Sequence, residues 1–168
     1  MRRSVRKCTI ARLCVAVVTV SNLSIASAAE LDPPSGHLVL DTTASGVQIY
    51  ECSYDKDHQL GWVFKAPSAT LYDASGTMVI KHSAGPAWQA NDGSRITGQV
   101  MAQTPSDEVD SVPQLLLRAK NVGGSGILAD VHYVQRLKTR GGAKPSANCT
   151  TEHQLGSAPY IAVYRFYQ

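Results

Sequence analysis

Ile127-Leu128-Ala129-Asp130-Val131-His132-Tyr133-Val134-Gln135-Arg136-Leu137 is the stretch on which the fold class turns. Its apolar spacing could serve a helix over about ten residues, which no other window offers. Its Val and Tyr content and the glycines on both sides (Gly123, Gly124 and Gly126 before, Gly141 and Gly142 after) favour an extended chain instead. As a strand it places Val131, Tyr133, Gln135 and Leu137 on one face and His132, Val134 and Arg136 on the other.

The same period of two continues outward. Towards the C-terminus, Tyr160, Ala162, Tyr164 and Phe166 share a face. Towards the N-terminus, Val47, Ile49 and Glu51 alternate with Gln48, Tyr50 and Cys52. Pro113 opens the buried-looking Gln114-Leu115-Leu116-Leu117. Arg95 to Ala102 follows a turn at Asn91-Asp92-Gly93-Ser94. Thr70 to Tyr72 and Thr77 to His82 flank Asp73-Ala74-Ser75-Gly76, a hairpin loop. Trp62-Val63-Phe64 is a short run expected to stop at Ala66-Pro67. Eight to ten short strands at near-regular spacing predict an all-β, single-domain antiparallel fold, a β-sandwich or barrel-like body, over residues 30–168.

Residues 1–29 read differently. Arg2, Arg3, Arg6, Lys7 and Arg12 precede the apolar run Leu13 to Val20, and Ala26-Ser27-Ala28-Ala29 follows. A basic head, a short apolar centre and small residues at the cut are the three parts of a cleavable signal peptide. A spanning helix needs about 20 mostly apolar residues, and Thr19, Ser21, Asn22 and Ser24 interrupt this run early. The expectation is a secreted or periplasmic protein with no membrane span after cleavage. The chain has 16 basic and 13 acidic residues. Five of the basic ones and none of the acidic ones fall in this leader, leaving 11 basic against 13 acidic. The basic character therefore belongs to the export signal, and a nucleic-acid partner is not expected.

Of the four cysteines, Cys8 and Cys14 leave with the leader. Cys52 and Cys149 remain, and in an oxidising compartment they are expected to form a disulfide.

Several segments also carry a family resemblance. They are Gly46 to Cys52, His82 to Trp88 with Asp92-Gly93-Ser94, Pro113 to Leu117, Val134 to Leu137 with Thr139 to Gly142 and Cys149, and Tyr160 to Tyr167. Together they resemble the domain-of-unknown-function family 3455, small secreted proteins of bacteria and fungi. The resemblance implies secretion and one β domain. It implies no activity and no site residues. The family carries Trp where this chain has Gln114.

The densest polar and aromatic stretch is His82-Ser83-Ala84-Gly85-Pro86-Ala87-Trp88, with Asp92 and Ser94 behind it. One reading makes Trp88 an exposed stacking platform for a glycan or other small molecule, with His82 and Asp92 as hydrogen-bonding groups. A structural reading buries Trp88 and makes Asp92-Gly93-Ser94 an ordinary turn. A third joins His82, Asp92 and Ser94 as a hydrolytic constellation, without the Gly-x-Ser-x-Gly context. Arg136, Lys138, Arg140 and Lys144 form a modest basic run, and the period of two is expected to put Lys138 on the same strand face as Arg136, His132 and Val134. Arg136, among apolar neighbours, is expected to be partly buried against an acid and is a ligand-contact candidate. Gly124-Ser125-Gly126-Ile127-Leu128-Ala129 matches a dinucleotide fingerprint on paper, but no βαβ pattern surrounds it, so a glycine-rich loop is expected and no cofactor. The five scattered histidines offer no metal-ligand spacing. Three functions follow: a non-catalytic binding or envelope-associated module, a small hydrolase using His82 and Asp92, or a stress or surface protein with no ligand site.

Overall fold

Residues 31–168 are described by a computed structural model. The expected leader, residues 1–29, lies outside them. Eight antiparallel strands run in chain order around a closed barrel: β1 (Leu38–Tyr54), β2 (Leu60–Tyr72), β3 (Met78–Ser83), β4 (Ala87–Ala90), β5 (Arg95–Thr104), β6 (Gln114–Gly123), β7 (Tyr133–Gly141) and β8 (Leu155–Tyr167). Each strand pairs with the next, and β8 pairs back onto β1 over almost its full length. The barrel, rather than the sandwich, is the outcome. Closure leaves no outer strand at the ends of the sheet.

Alternation decides what fills the interior. On β1, Thr42, Ala44, Gln48, Tyr50 and Cys52 are buried. On β8, Tyr160, Ala162, Tyr164 and Phe166 are buried, and the residues between them are not. The lower end, where β2 turns into β3, is closed by the loop between β6 and β7. Leu128 and Val131 from that loop join Leu71, Ile80, Ile96, Val134 and Phe166 in one buried cluster. The glycine-rich segment is thus a plug. Asp92 accepts from the backbone N–H of Ile127 at 2.7 Å, and Ser94 Oγ from that of Leu128 at 3.2 Å. Strand β7 begins only at Tyr133, so the first half of the decisive stretch supplies the plug and the second half the wall.

The upper end is held by a covalent bond. Cys52, near the top of β1, is joined to Cys149 in the β7–β8 loop across a Cα–Cα distance of 5.8 Å.

Two readings of the sequence need correction. Pro67 does not stop a strand; β2 runs through it. Above Ala69 nothing pairs with β2 on the β3 side, because β3 is too short to reach. A residue without an N–H is tolerated at such a position. Lys138 does not share a face with Arg136. A bulge between Leu137 and Arg140, with Lys138 at φ 49°, turns Lys138 to solvent and gives the buried position to Thr139.

The short β3–β4 hairpin leaves a gap in the wall. β4 pairs with β5 only as far as Thr97. Above the hairpin tip, Leu60–Ser68 of β2 and Val100–Thr104 of β5 face each other with no strand between them.

Candidate functional site

The hairpin places His82 and Trp88 directly opposite each other on inward positions. Their rings stack at 4.6 Å with 6° between planes. Tyr164 meets both edge-on, at 5.3 and 6.1 Å, and Phe166 stands perpendicular to the indole at 6.3 Å. Room for the indole comes from Gly98. A Cβ there would sit 2.8 Å from the Trp88 ring and 3.1 Å from Leu117. Trp88 is 1% exposed. The exposed platform expected of a glycan binder is therefore absent, because His82 covers one face of the indole.

His82 Nδ1 lies 2.9 Å from the Ala87 carbonyl. A carbonyl only accepts, so Nδ1 carries the proton and Nε2 is left as an acceptor. Burial holds the imidazole pKa down to about 4, with the Ala87 bond opposing and Arg136 adding to the depression. His82 is neutral at ordinary pH.

Arg136 reaches the interior from β7 and is 9% exposed. Its Nε and one terminal nitrogen donate to the Pro113 carbonyl at 3.1 and 2.9 Å. The expected acid is not there. Among the described residues no carboxylate lies within 4.0 Å of the guanidinium. Its surroundings are phenols. Burial raises the Tyr164 and Tyr50 pKa values, and the Arg136 charge pulls both back down. The Tyr160 pKa is also raised, by burial first and by Tyr164 next.

Two further donors have no partner. Gln48 Nε2 and Trp88 Nε1 are buried and make no hydrogen bond. Gln48 lies near enough to the Tyr160 hydroxyl to act on it, yet no bond of proper geometry forms. Gly142, at φ 85°, allows this packing, since a Cβ would meet Tyr160 at 2.9 Å and Gln48 at 3.0 Å. Its carbonyl accepts from the Tyr50 hydroxyl at 2.6 Å.

These groups border a cavity of about 560 Å³ in the upper barrel. Gln48, His82, Trp88, Tyr164 and Arg136 form its inner end. Phe64, Val100 and Leu115 form apolar walls, and Phe64 and Val100 stand at the gap between β2 and β5, about half exposed. A concave, largely apolar space with a few convergent polar groups is the usual form of a small-molecule site.

Three of the sequence candidates, His82, Trp88 and Arg136, come together at this cavity. Asp92 and Ser94 do not. They sit at the turn between β4 and β5, at the lower end. There Asp92 Oδ1 accepts from the Ser94 N–H at 2.9 Å and from the Ser94 hydroxyl at 2.6 Å. Gly93 takes φ 89°. This is an Asx-type turn locked onto the plug, with the carboxyl pKa lowered first by the Ser94 hydroxyl and then by the Ile127 N–H. No hydrogen bond links His82 to either residue, so the hydrolytic constellation is not assembled. Among the described residues no group of three or more His, Cys, Asp or Glu is placed to hold a metal.

A family model described as protein of unknown function (DUF3455) matches residues 33–168. The chain belongs to the DUF3455 family. No curated protein and no solved structure matches it. In this DUF3455 chain the sequence reading missed Gln48, Tyr160 and the gap. Gln48 carried a signal: it is the amide in the inward series Gln48-Tyr50-Cys52, whose other members suit a core.

Proposed function

We propose that the DUF3455 barrel is a non-catalytic binding protein that works outside the cytoplasm and takes a small molecule into its upper cavity. One observation carries this reading. Gln48 Nε2 and Trp88 Nε1 are buried donors without acceptors, and both are carried by residues that line a cavity that reaches solvent. An orphaned buried donor costs about 1–3 kcal/mol. A bound acceptor would remove that cost, and the open space is where it would sit.

Export is supported by the tripartite leader pattern and by the Cys52–Cys149 bond, which suits an oxidising compartment. A lipid-spanning role for the barrel is disfavoured by its surface. Asp41 and Arg165 pair on the outside at 3.0 Å, and Lys81, Arg118 and Lys120 are exposed on the strands. A lipid-facing band would exclude such charges. No helix among the described residues is long and apolar enough to cross a membrane.

Indole emission tests the reading. Trp62 donates to the Ala147 carbonyl at 2.7 Å and is not among the residues that line the cavity, so Trp62→Phe isolates Trp88. Titration of the single-tryptophan protein with small amphiphiles is expected to give a saturable change in emission. A flat response across neutral, anionic and cationic probes overturns the binding reading.

A further inference from the structure

Given a binding cavity, the reading on which this inference rests, its chemistry narrows the ligand. A buried guanidinium without a counter-charge is costly, because desolvation is repaid only by an ion partner of good geometry. Arg136 donates from two of its nitrogens to the Pro113 carbonyl, has the neutral Tyr164 hydroxyl close by, and meets no carboxylate within 4.0 Å among the described residues. Gln48 and Trp88, which line the same cavity, carry the two buried donors without a partner. The inner end of the cavity is therefore rich in donors and carries one positive charge. Its outer walls are apolar, from Phe64, Val100 and Leu115.

We infer that the DUF3455 barrel binds an apolar molecule carrying one carboxylate, with the carboxylate on Arg136 and the apolar body directed at the gap between β2 and β5. The count of charges sets the head group. Lys65, at the mouth of the cavity, already has Glu51 as its counter-charge, and His82 is neutral. One guanidinium balances one negative charge; a dianionic phosphate would leave a second charge buried without a partner. The planar fork of arginine matches a carboxylate in shape as well as in charge. The apolar rim at Phe64 and Val100 sets the direction, since the tail would cover residues now half in water.

A matched set of probes tests this. Decanoate, decanol and decylamine share a chain and differ in the head. Affinities are measured by calorimetry on the wild-type protein and on Arg136→Gln. Decanoate is expected to bind about tenfold or more tighter than decanol, the margin of a charge-assisted bond over a neutral one. Decylamine is expected to bind more weakly than both. In Arg136→Gln the decanoate advantage is expected to vanish while decanol affinity stays within about threefold, since a neutral hydroxyl forms no ion pair with the guanidinium and can bond to an amide instead. Equal or tighter binding of decanol by the wild-type protein overturns the head-group assignment and leaves the binding reading standing. Absence of binding by all three overturns both. A decanoate advantage that survives Arg136→Gln overturns the role of Arg136. The wild-type comparison needs no variant, so a poorly folding Arg136→Gln does not remove the test.

Discussion

Below the level of the Trp88 ring the barrel interior holds Leu71, Ile80, Ile96, Leu128, Val131 and Phe166, all buried and all apolar. Above it, Gln48, His82 and Arg136 border open space. The same eight strands build both halves, and the same inward alternation selects the residues. The difference lies in what stabilises them. The lower half is closed by a loop whose backbone N–H groups are tied to Asp92 and Ser94, and it gains from close packing. The upper half has orphaned donors, an unpaired charge and a missing stretch of wall, and it is fastened by a disulfide. A half that is costly to maintain and needs a covalent tie is the half where binding is expected.

The largest test of that contrast is removal of the tie. Cys52 and Cys149 are 97 residues apart, and in the chain-entropy model such a loop contributes about 4–5 kcal/mol. Cys52→Ala with Cys149→Ala is expected to lower the unfolding free energy in urea by that amount. A loss below about 1 kcal/mol would mean the upper half is held by something else. Next comes the packed half. Ile80→Ala, at a site fully buried in the cluster, should cost about 2–5 kcal/mol in the same titration.

The third test uses pH. His82 has its pKa depressed from 6.5 to about 4 in the folded protein. The unfolded chain then binds the proton first as pH falls, so stability is full above about pH 6.5, declines down to about pH 4 and is flat below that. The loss across this window should be about 3 kcal/mol, at 1.36 kcal/mol per pH unit. His82→Gln should remove it, and the difference between the two stability profiles isolates it from other groups. His153, raised first by its bond to Glu51, acts in the opposite sense and is common to both proteins.

Two smaller effects sharpen the contrast at its boundary. Gly98→Ala drives a methyl against Trp88 and should cost about 1–3 kcal/mol by overpacking, with a shift in indole emission. Gln48→Leu should leave thermal stability unchanged or raise it by about 1 kcal/mol, because it removes an unpaired buried donor. A marked loss instead would show that Gln48 is bonded within the upper network.

The strands were legible because burial on one face imposes a period of two, which Tyr160 to Phe166 display openly. Pro67 misled because a proline stops a strand only where its missing N–H has a partner to lose, and that depends on the length of β3, a distant fact. The site was legible in its residues and not in its grouping. His82, Trp88 and Asp92 are close in sequence, but β4 is extended, and its four residues carry the chain about 13 Å away. Arg136 could be read as buried from its apolar neighbours. What stands opposite it depends on closure of the sheet between β8 and β1, which no local pattern encodes.

The short β3–β4 hairpin has a cost of another kind. It exposes two stretches of backbone that could accept a strand from a second molecule, the usual beginning of fibrous assembly. Pro67 and the extra residue Lys65, where the register of β2 slips against β1, lie on one of those stretches. A missing donor and a kinked backbone make that stretch a poor template, so the protein keeps an aperture in its side without inviting polymerisation through it.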